Sequence, residues 1–183
     1  MKIVLYPTDT LYGLGVDATN PEAVLRLQDL KGRGEEKPIS IVVSDLAMMK
    51  NYAIVTPLAE RLITQFLPGK LTLVLCSKPG FQTPGVVGAD GSVGIRIPNH
   101  PTPLRLVREL GKPITATSAN VSGMVPESTP QKILAQFKEK ASWITEVFDE
   151  GALPENDAST VVDARGDKPV ILREGAIAVS EIM

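Results

Sequence analysis

Residues 6–15 (YPTDTLYGLG) form a group of side chains suited to ligand binding. Two threonines, an aspartate and two glycines follow a short apolar segment, and a core strand needs none of these residues. Hydroxyl groups and bare backbone N–H groups can surround an anion. The composition therefore predicts a binding loop.

Arg96 gives a second indication of a binding site. It alternates with apolar residues on a predicted interior strand, residues 93–97. A guanidinium in that position must either reach the end of the strand or be paired, because burying it alone is costly. This placement favours an anionic partner.

Small polar side chains also end other predicted strands. Residues 115–123 (TATSANVSG) place Ser118 and Asn120 just past a strand, where open α/β sheets bind their ligands. Two late strands end in a similar way, with Ser159 at residues 158–163 and Arg173 at residues 172–175.

Residues 31–38 place Lys31, Arg33 and Lys37 after a predicted helix. Alone, this charge run is typical of a solvated turn that complements the helix dipole. Combined with the hydroxyl and amide groups elsewhere, it suits a polyphosphate beside a small zwitterion. No strong general base is apparent, and phosphoryl or nucleotidyl transfer tolerates that because positioning and charge neutralisation dominate.

Helices and strands alternate along the chain and must position these groups. Four helix starts pair an N-cap side chain with proline, at Asn20-Pro21, Thr56-Pro57, Thr102-Pro103 and Thr129-Pro130. Glycines suited to helix C-termini are Gly32, Gly69 and Gly111. Eight β-branched runs predict strands at residues 3–5, 39–43, 71–75, 93–97, 114–117, 144–148, 160–162 and 170–172. The pattern predicts one α/β domain over residues 1–183 with a mixed sheet. The glycine-rich segment 81–92 predicts a mobile loop over a site.

Composition narrows the class of protein. The net charge of −2 argues against a dedicated nucleic-acid binder, which usually carries a basic excess. Cys76 is the only cysteine, so no intrachain disulfide can form, and its apolar surroundings predict a buried side chain. No apolar stretch approaches the length of a membrane span. These features predict a cytoplasmic protein without a membrane partner.

Several common catalytic sites are excluded. His100 is the only histidine and lies far in sequence from Cys76, so a Ser-His-Asp triad, a Cys-His pair and a zinc site are not credible; a turn is the simpler role for it. Residues 13–18 (GLGVDA) resemble a dinucleotide fingerprint, but the next helix begins too late. Lys70 lacks the flanking residues of a P-loop.

Taken together, the segments resemble the YrdC family of threonylcarbamoyl-AMP synthases. The shared signature covers most of the chain in the family's order, at residues 7–15, 31–33 with 37–38, 67–75, 94–98, 117–123, 159–163 and 172–175. The resemblance implies a YrdC-like fold, in which a twisted mixed sheet flanked by helices surrounds an open basic cavity. It also implies an ATP-binding nucleotidyltransferase, an L-threonylcarbamoyladenylate synthase that serves tRNA processing and threonylcarbamoyladenosine biosynthesis. Such an enzyme condenses L-threonine, bicarbonate and ATP to threonylcarbamoyl-AMP and pyrophosphate.

The resemblance also implies roles for particular residues. Thr10, Arg96 and Ser159 would bind threonine. Lys31, Arg33, Ser118 and Asn120 would form the catalytic group that grips the nucleotide phosphates and the carbamoyl unit. Further nucleotide contacts would come from Lys37, Ser92, Ala116 and Arg173. Mg²⁺ would arrive with ATP and would need no fixed protein site. Downstream partners would be tRNA or tRNA-modification proteins. The alternative is a non-catalytic RNA- or nucleotide-binding paralogue, which the scarcity of aromatic residues disfavours.

Overall fold

The computed structural model describes residues 2–34, 37–154 and 157–183. Within these ranges the helices are α1 (Pro21–Lys31), α2 (Leu46–Tyr52), α3 (Pro57–Phe66), α4 (Pro101–Leu110), α5 (Pro130–Phe137) and α6 (Val179–Ile182), with a 3₁₀ helix at Lys138–Trp143. The strands are β1 (Ile3–Tyr6), β2 (Gly13–Gly15), β3 (Ser40–Val42), β4 (Ala53–Ile54), β5 (Leu71–Ser77), β6 (Ser92–Arg96), β7 (Ile114–Ser118), β8 (Ile144–Val147), β9 (Thr160–Asp163) and β10 (Val170–Arg173).

The strands join one twisted mixed sheet flanked by helices, which confirms the predicted fold class. Their order is β10-β9-β5-β6-β3-β7-β2-β1-β8, and β4 pairs with the end of β5. The pairs β1–β8, β3–β6 and β5–β9 are parallel, and the others are antiparallel. Strands that carry predicted site residues, β6, β7 and β10, thereby enter the same sheet.

Both faces of the central strands are covered. On β1, Ile3 and Leu5 enter the main hydrophobic core, whereas Val4 and Tyr6 enter a smaller cluster on the other face together with Val107 of α4. This division follows from the alternation of side chains along a strand. The sheet centre is therefore a rigid base for the groups at its strand ends. Within the described residues, no helix has the length and apolar character needed to cross a bilayer.

Three of the four predicted helix starts are confirmed. The side chains of Asn20, Thr56 and Thr129 accept hydrogen bonds from backbone N–H groups in the first turns of α1, α3 and α5. The prediction for Thr102-Pro103 is wrong by two residues, because α4 begins at Pro101 and His100 caps it by accepting from the Thr102 N–H at 3.3 Å. His100 is therefore a helix cap, and a proline again occupies the first helical position.

Two of the three helix-ending glycines are confirmed. Gly32 and Gly111 adopt left-handed conformations, with φ of 61° and 68°, after α1 and α4. Gly69 does not end a helix, because α3 stops at Phe66 and Leu67 is its C-cap.

All eight predicted strands exist, but part of the predicted binding loop is itself a strand. Gly13–Gly15 forms β2, which pairs with both β1 and β7. The helix α2 and the short strand β4 were not predicted. Cys76 is exposed and not buried, because it lies near the end of β5 where the sheet meets solvent. Phe81 and Val86 of segment 81–92 are buried, and the mobility of that segment stays a prediction.

Candidate functional site

A cleft opens on one side of the sheet, where the predicted site segments converge. Its empty space, counted out to the open mouth and including the solvent there, is about 790 Å³. The wall draws residues from the loop after β1, from the ends of β6 and β7, and from β3, β5, β9 and β10. Among the described residues of this wall there are three arginines, Arg33, Arg96 and Arg173, and no acidic residue. The cleft is therefore basic although the whole chain is slightly acidic.

The threonine loop after β1 is fixed by its own hydrogen bonds. Thr8 Oγ1 accepts from the backbone N–H groups of Thr10 and Leu11 at 3.0 and 3.2 Å, and donates to the Leu11 carbonyl at 2.7 Å. It also lies 3.0 Å from Thr10 Oγ1. These bonds form a tight turn that aims the Thr8 and Thr10 hydroxyls at the cleft.

Arg96 is buried at the end of β6 and is held by three acceptors. Its Nε donates to the Gly69 carbonyl at 3.0 Å, Nη1 to Thr10 Oγ1 at 2.8 Å and Nη2 to Asp9 Oδ1 at 2.6 Å. Burial lowers the pKa of the guanidinium, and the charge of Asp9 opposes that change. Since a guanidinium has five N–H groups, two have no acceptor among the described residues. Arg96 and Thr10, the predicted threonine-binding pair, are thus in direct contact.

Ser159 belongs to a second polar cluster on the far side of the cleft. Its Oγ lies 2.8 Å from Thr72 Oγ1, and both side chains are buried. Arg173 of β10 donates through Nη2 to the Ser159 carbonyl at 2.7 Å and to Oγ at 3.2 Å. Partial burial lowers the pKa of Arg173. The edge strand β10 thereby supplies a cation to the wall.

Lys31 and Asn120 lie behind the wall. The Lys31 side chain is 2% exposed, and its Nζ donates to the carbonyls of Ser118 and Asn120, the latter at 2.7 Å. Burial, and secondarily the charge of Arg33, lowers the pKa of Lys31 to about 7. Asn120 accepts from Ser118 Oγ at 2.5 Å and donates to the Met124 carbonyl at 2.6 Å. Both residues therefore shape the turn after β7, and within it only Ser118 belongs to the wall.

The remaining predicted residues are divided between the wall and its surroundings. Arg33 lines the cleft and donates to the carbonyls of Lys37 and Pro38 at 2.9 and 3.0 Å. Ala116 of β7 lines it as well. The Lys37 carbonyl accepts the hydrogen bond from Arg33, and Ser92 is the first residue of β6. Neither residue is part of the cleft wall. No residue of 81–92 lies in that wall, so a loop closing over the site is not confirmed.

Several wall residues were not predicted from the sequence. Tyr6 is buried under the cleft and donates from its hydroxyl to the Thr115 carbonyl at 2.8 Å. The two glycines of β2 allow this packing, because a Cβ on Gly13 would lie 2.9 Å from the Tyr6 ring and one on Gly15 2.8 Å from it. Ser40 and Thr72 also line the wall. The sequence did carry a signal for these two residues, because each is a polar residue between apolar neighbours on a predicted strand, Ser40 on β3 and Thr72 on β5.

Within residues 2–34, 37–154 and 157–183, no three His, Cys, Asp or Glu side chains are grouped to hold a metal ion. The expectation that Mg²⁺ travels with a nucleotide stays a prediction.

The mixed sheet and its lining define an α/β protein with a basic cleft at the strand ends. Comparison with known families gives the particular assignment. The model of the Sua5/YciO/YrdC family, described as "Telomere recombination", matches residues 2–175. The chain belongs to this family, as its motifs predicted.

Known relatives agree with this assignment. A protein of Methanocaldococcus jannaschii is 38% identical over 182 residues, which are 99% of this chain and 83% of the relative. The threonylcarbamoyl-AMP synthase of Bacillus subtilis is 36% identical over 99% of this chain and 52% of its own length. The crystal structure of Pyrococcus abyssi Sua5 complexed with L-threonine matches with a TM-score of 0.90 and 34% identity, covering 99% of this chain and 52% of that one. This chain thus spans about half the length of the Bacillus and Pyrococcus proteins.

Proposed function

We propose that this protein, with residues 1–183 as one domain, is a threonylcarbamoyl-AMP synthase that condenses L-threonine, bicarbonate and ATP to threonylcarbamoyl-AMP and pyrophosphate. The observation that carries the proposal is the convergence of Arg33, Arg96 and Arg173 with the Thr10 and Ser118 hydroxyls in one cleft. The relatives named for this activity, and the Pyrococcus structure with L-threonine, support it.

The amino acid would lie at the Arg96 end of the cleft. The two remaining N–H groups of Arg96 suit one bidentate carboxylate. Thr10 Oγ1 is fixed 2.8 Å from Nη1 and would face the same ligand. Ser159, held by Thr72 and Arg173, would close this end from the β9 side.

The nucleotide would lie between Arg33, Ser118 and Arg173. Ala116 would contact it from the floor, and Lys37 and Ser92 would reach it from the margin. Lys31 and Asn120 would act on it through the turn after β7, because their polar atoms are bound to that turn. Mg²⁺ would enter as part of the ATP substrate.

The chemistry would take two steps. The amine of L-threonine attacks the carbon of bicarbonate, and loss of water leaves a carbamate. A carbamate oxygen then attacks the α-phosphorus of ATP, and the bond to the pyrophosphate leaving group breaks. Each step brings anionic groups close together. Arginines that the fold already holds in place would stabilise these charges without having to reorganise. The product's threonylcarbamoyl group would then pass to tRNA with the help of tRNA-modification proteins in the cytoplasm.

The test is pyrophosphate release from ATP by the purified protein, with and without L-threonine and bicarbonate. We expect release only when both are present. Arg33→Ala and Ser118→Ala should abolish it while the circular dichroism spectrum is retained. Arg61→Ala, at an exposed position of α3, is the matched control and should keep full activity. RNA binding with a steep salt dependence and no pyrophosphate would instead favour the non-catalytic paralogue.

A further inference from the structure

Asp9 forms a buried ion pair with the arginine that faces the amino-acid end of the cleft. Its Oδ1 accepts from Arg96 Nη2 at 2.6 Å, and the two side chains are 12% and 8% exposed. The second oxygen, Oδ2, is buried and has no hydrogen-bond partner among the described residues. The carboxylate of Asp9 therefore lies directly against Arg96, and within the described residues no other cation is in ion-pair distance of it.

Arg173, on the opposite wall, has a different environment. Its hydrogen bonds go to the carbonyl and hydroxyl of Ser159, which are neutral groups. Within the described residues, Arg173 has no carboxylate in ion-pair distance, whereas Arg96 has Asp9. The cleft is therefore electrostatically uneven. The Arg173 side presents an uncompensated cation, and the Arg96 side presents N–H donors with little net charge.

This difference would separate two kinds of anionic ligand. A phosphate group carries up to two negative charges and needs uncompensated cations. An amino acid is a zwitterion, and its carboxylate needs aligned donors more than net charge. A charge within about 6 Å, at an effective dielectric constant near 20, changes the affinity for a singly charged ligand by on the order of tenfold to a hundredfold. The effect on a net-neutral zwitterion is much smaller.

We propose that Asp9 is a specificity-determining residue, which reserves Arg96 for a carboxylate and keeps phosphate groups away from it. The inference rests on the proposed function and deepens it. Without Asp9, the triphosphate, or the pyrophosphate that leaves, would compete for the threonine position. With Asp9, both substrates can occupy one basic cleft in a single orientation.

The experiment measures L-threonine binding by calorimetry, with and without inorganic phosphate or pyrophosphate as the probe. In the wild-type protein, we expect phosphate to change the threonine affinity by less than about twofold. In Asp9→Asn, which keeps an oxygen acceptor for Arg96 but removes the charge, phosphate should weaken threonine binding by about tenfold or more. The phosphate affinity itself should rise by a similar factor.

Three further variants make the result specific. Asp163→Asn removes the same charge from the Arg165–Asp163 pair, outside the cleft wall, and should behave like the wild type. Arg96→Gln added to Asp9→Asn should abolish the gain in phosphate affinity. Asp9→Ser provides the same charge removal if Asp9→Asn fails to fold.

The outcomes separate the two proposals. Equal phosphate affinity and equal competition in the wild type and Asp9→Asn would overturn the role of Asp9. A wild-type protein that binds no L-threonine would overturn the proposed function, while the phosphate affinities would still report on the Asp9 charge.

Discussion

Replacing Lys31 by methionine should change how the stability of the protein depends on pH. Lys31 is 2% exposed, and its ammonium group is bound to backbone carbonyls of the turn after β7. Burial lowers its pKa from 10.5 to about 7. Methionine has a similar length and no ionisable group, so it removes the titration and leaves most of the packing.

The magnitude follows from linkage between protonation and folding. Between pH 7 and 10.5 the unfolded chain holds a proton on Lys31 that the folded protein has released. The free energy of unfolding therefore rises with pH, by up to ~1.4 kcal/mol for each pH unit. The lowered pKa of Lys31 corresponds to a cost of about 5 kcal/mol for burying its charged form. This cost lowers the free energy of unfolding in full below pH 7, and it is absent above pH 10.5.

Urea unfolding at pH 7.5, 8.5 and 9.5 measures this effect. The difference in unfolding free energy between the wild type and Lys31→Met should grow in favour of the wild type at each step. Lys168→Met, at an exposed position, is the control and should follow the wild type at every pH. Parallel pH curves for the wild type and Lys31→Met would refute the lowered pKa and the buried environment that causes it.

Three further predictions concern buried packing and hydrogen bonding, and all are measured by urea unfolding. Gly13→Ala should cost about 1–3 kcal/mol, because its Cβ would lie 2.9 Å from the buried Tyr6 ring; unchanged stability would mean that the ring can move. Tyr6→Phe should cost about 1 kcal/mol through loss of the hydrogen bond to the Thr115 carbonyl, and no loss would contradict that bond. Leu27→Ala should cost about 2–5 kcal/mol, whereas Leu25→Ala, half exposed on the same helix, should cost far less.

The sequence was sufficient for the fold class and for most elements. Apolar β-branched runs predicted eight of the ten strands, and hydroxyl or amide caps before proline predicted three helix starts, because both signals are local. The start of α4 was placed wrongly because the rule favours the threonine before Pro103, whereas the residue before Pro101 is a histidine. His100 decides between them through a bond that only the folded backbone shows.

Neither the strand β2 nor the positions of Lys31 and Asn120 behind the wall could be predicted in the same way. Gly13–Gly15 lacks β-branched residues, and its glycines are explained only by the folded pairing, in which the Tyr6 ring lies against both of them and Tyr6 is the register partner of Gly13. Lys31 and Asn120 were expected in contact with ligand. Their placement behind the wall depends on contacts 87 and 89 residues apart along the chain. The convergence of Arg33, Arg96 and Ser118 in one cleft, in contrast, was anticipated.

The position of β10 gives the cleft two walls of unequal stiffness. β10 is at the margin of the sheet and, among the described strands, pairs only with β9, whereas Arg96 and Ser118 lie on interior strands. Marginal strands open at a lower free-energy cost than central ones. Such an opening would move Arg173 away from Ser159 and leave Arg96 in place. A bulky product could then leave the cleft on the β10 side without disturbing the core.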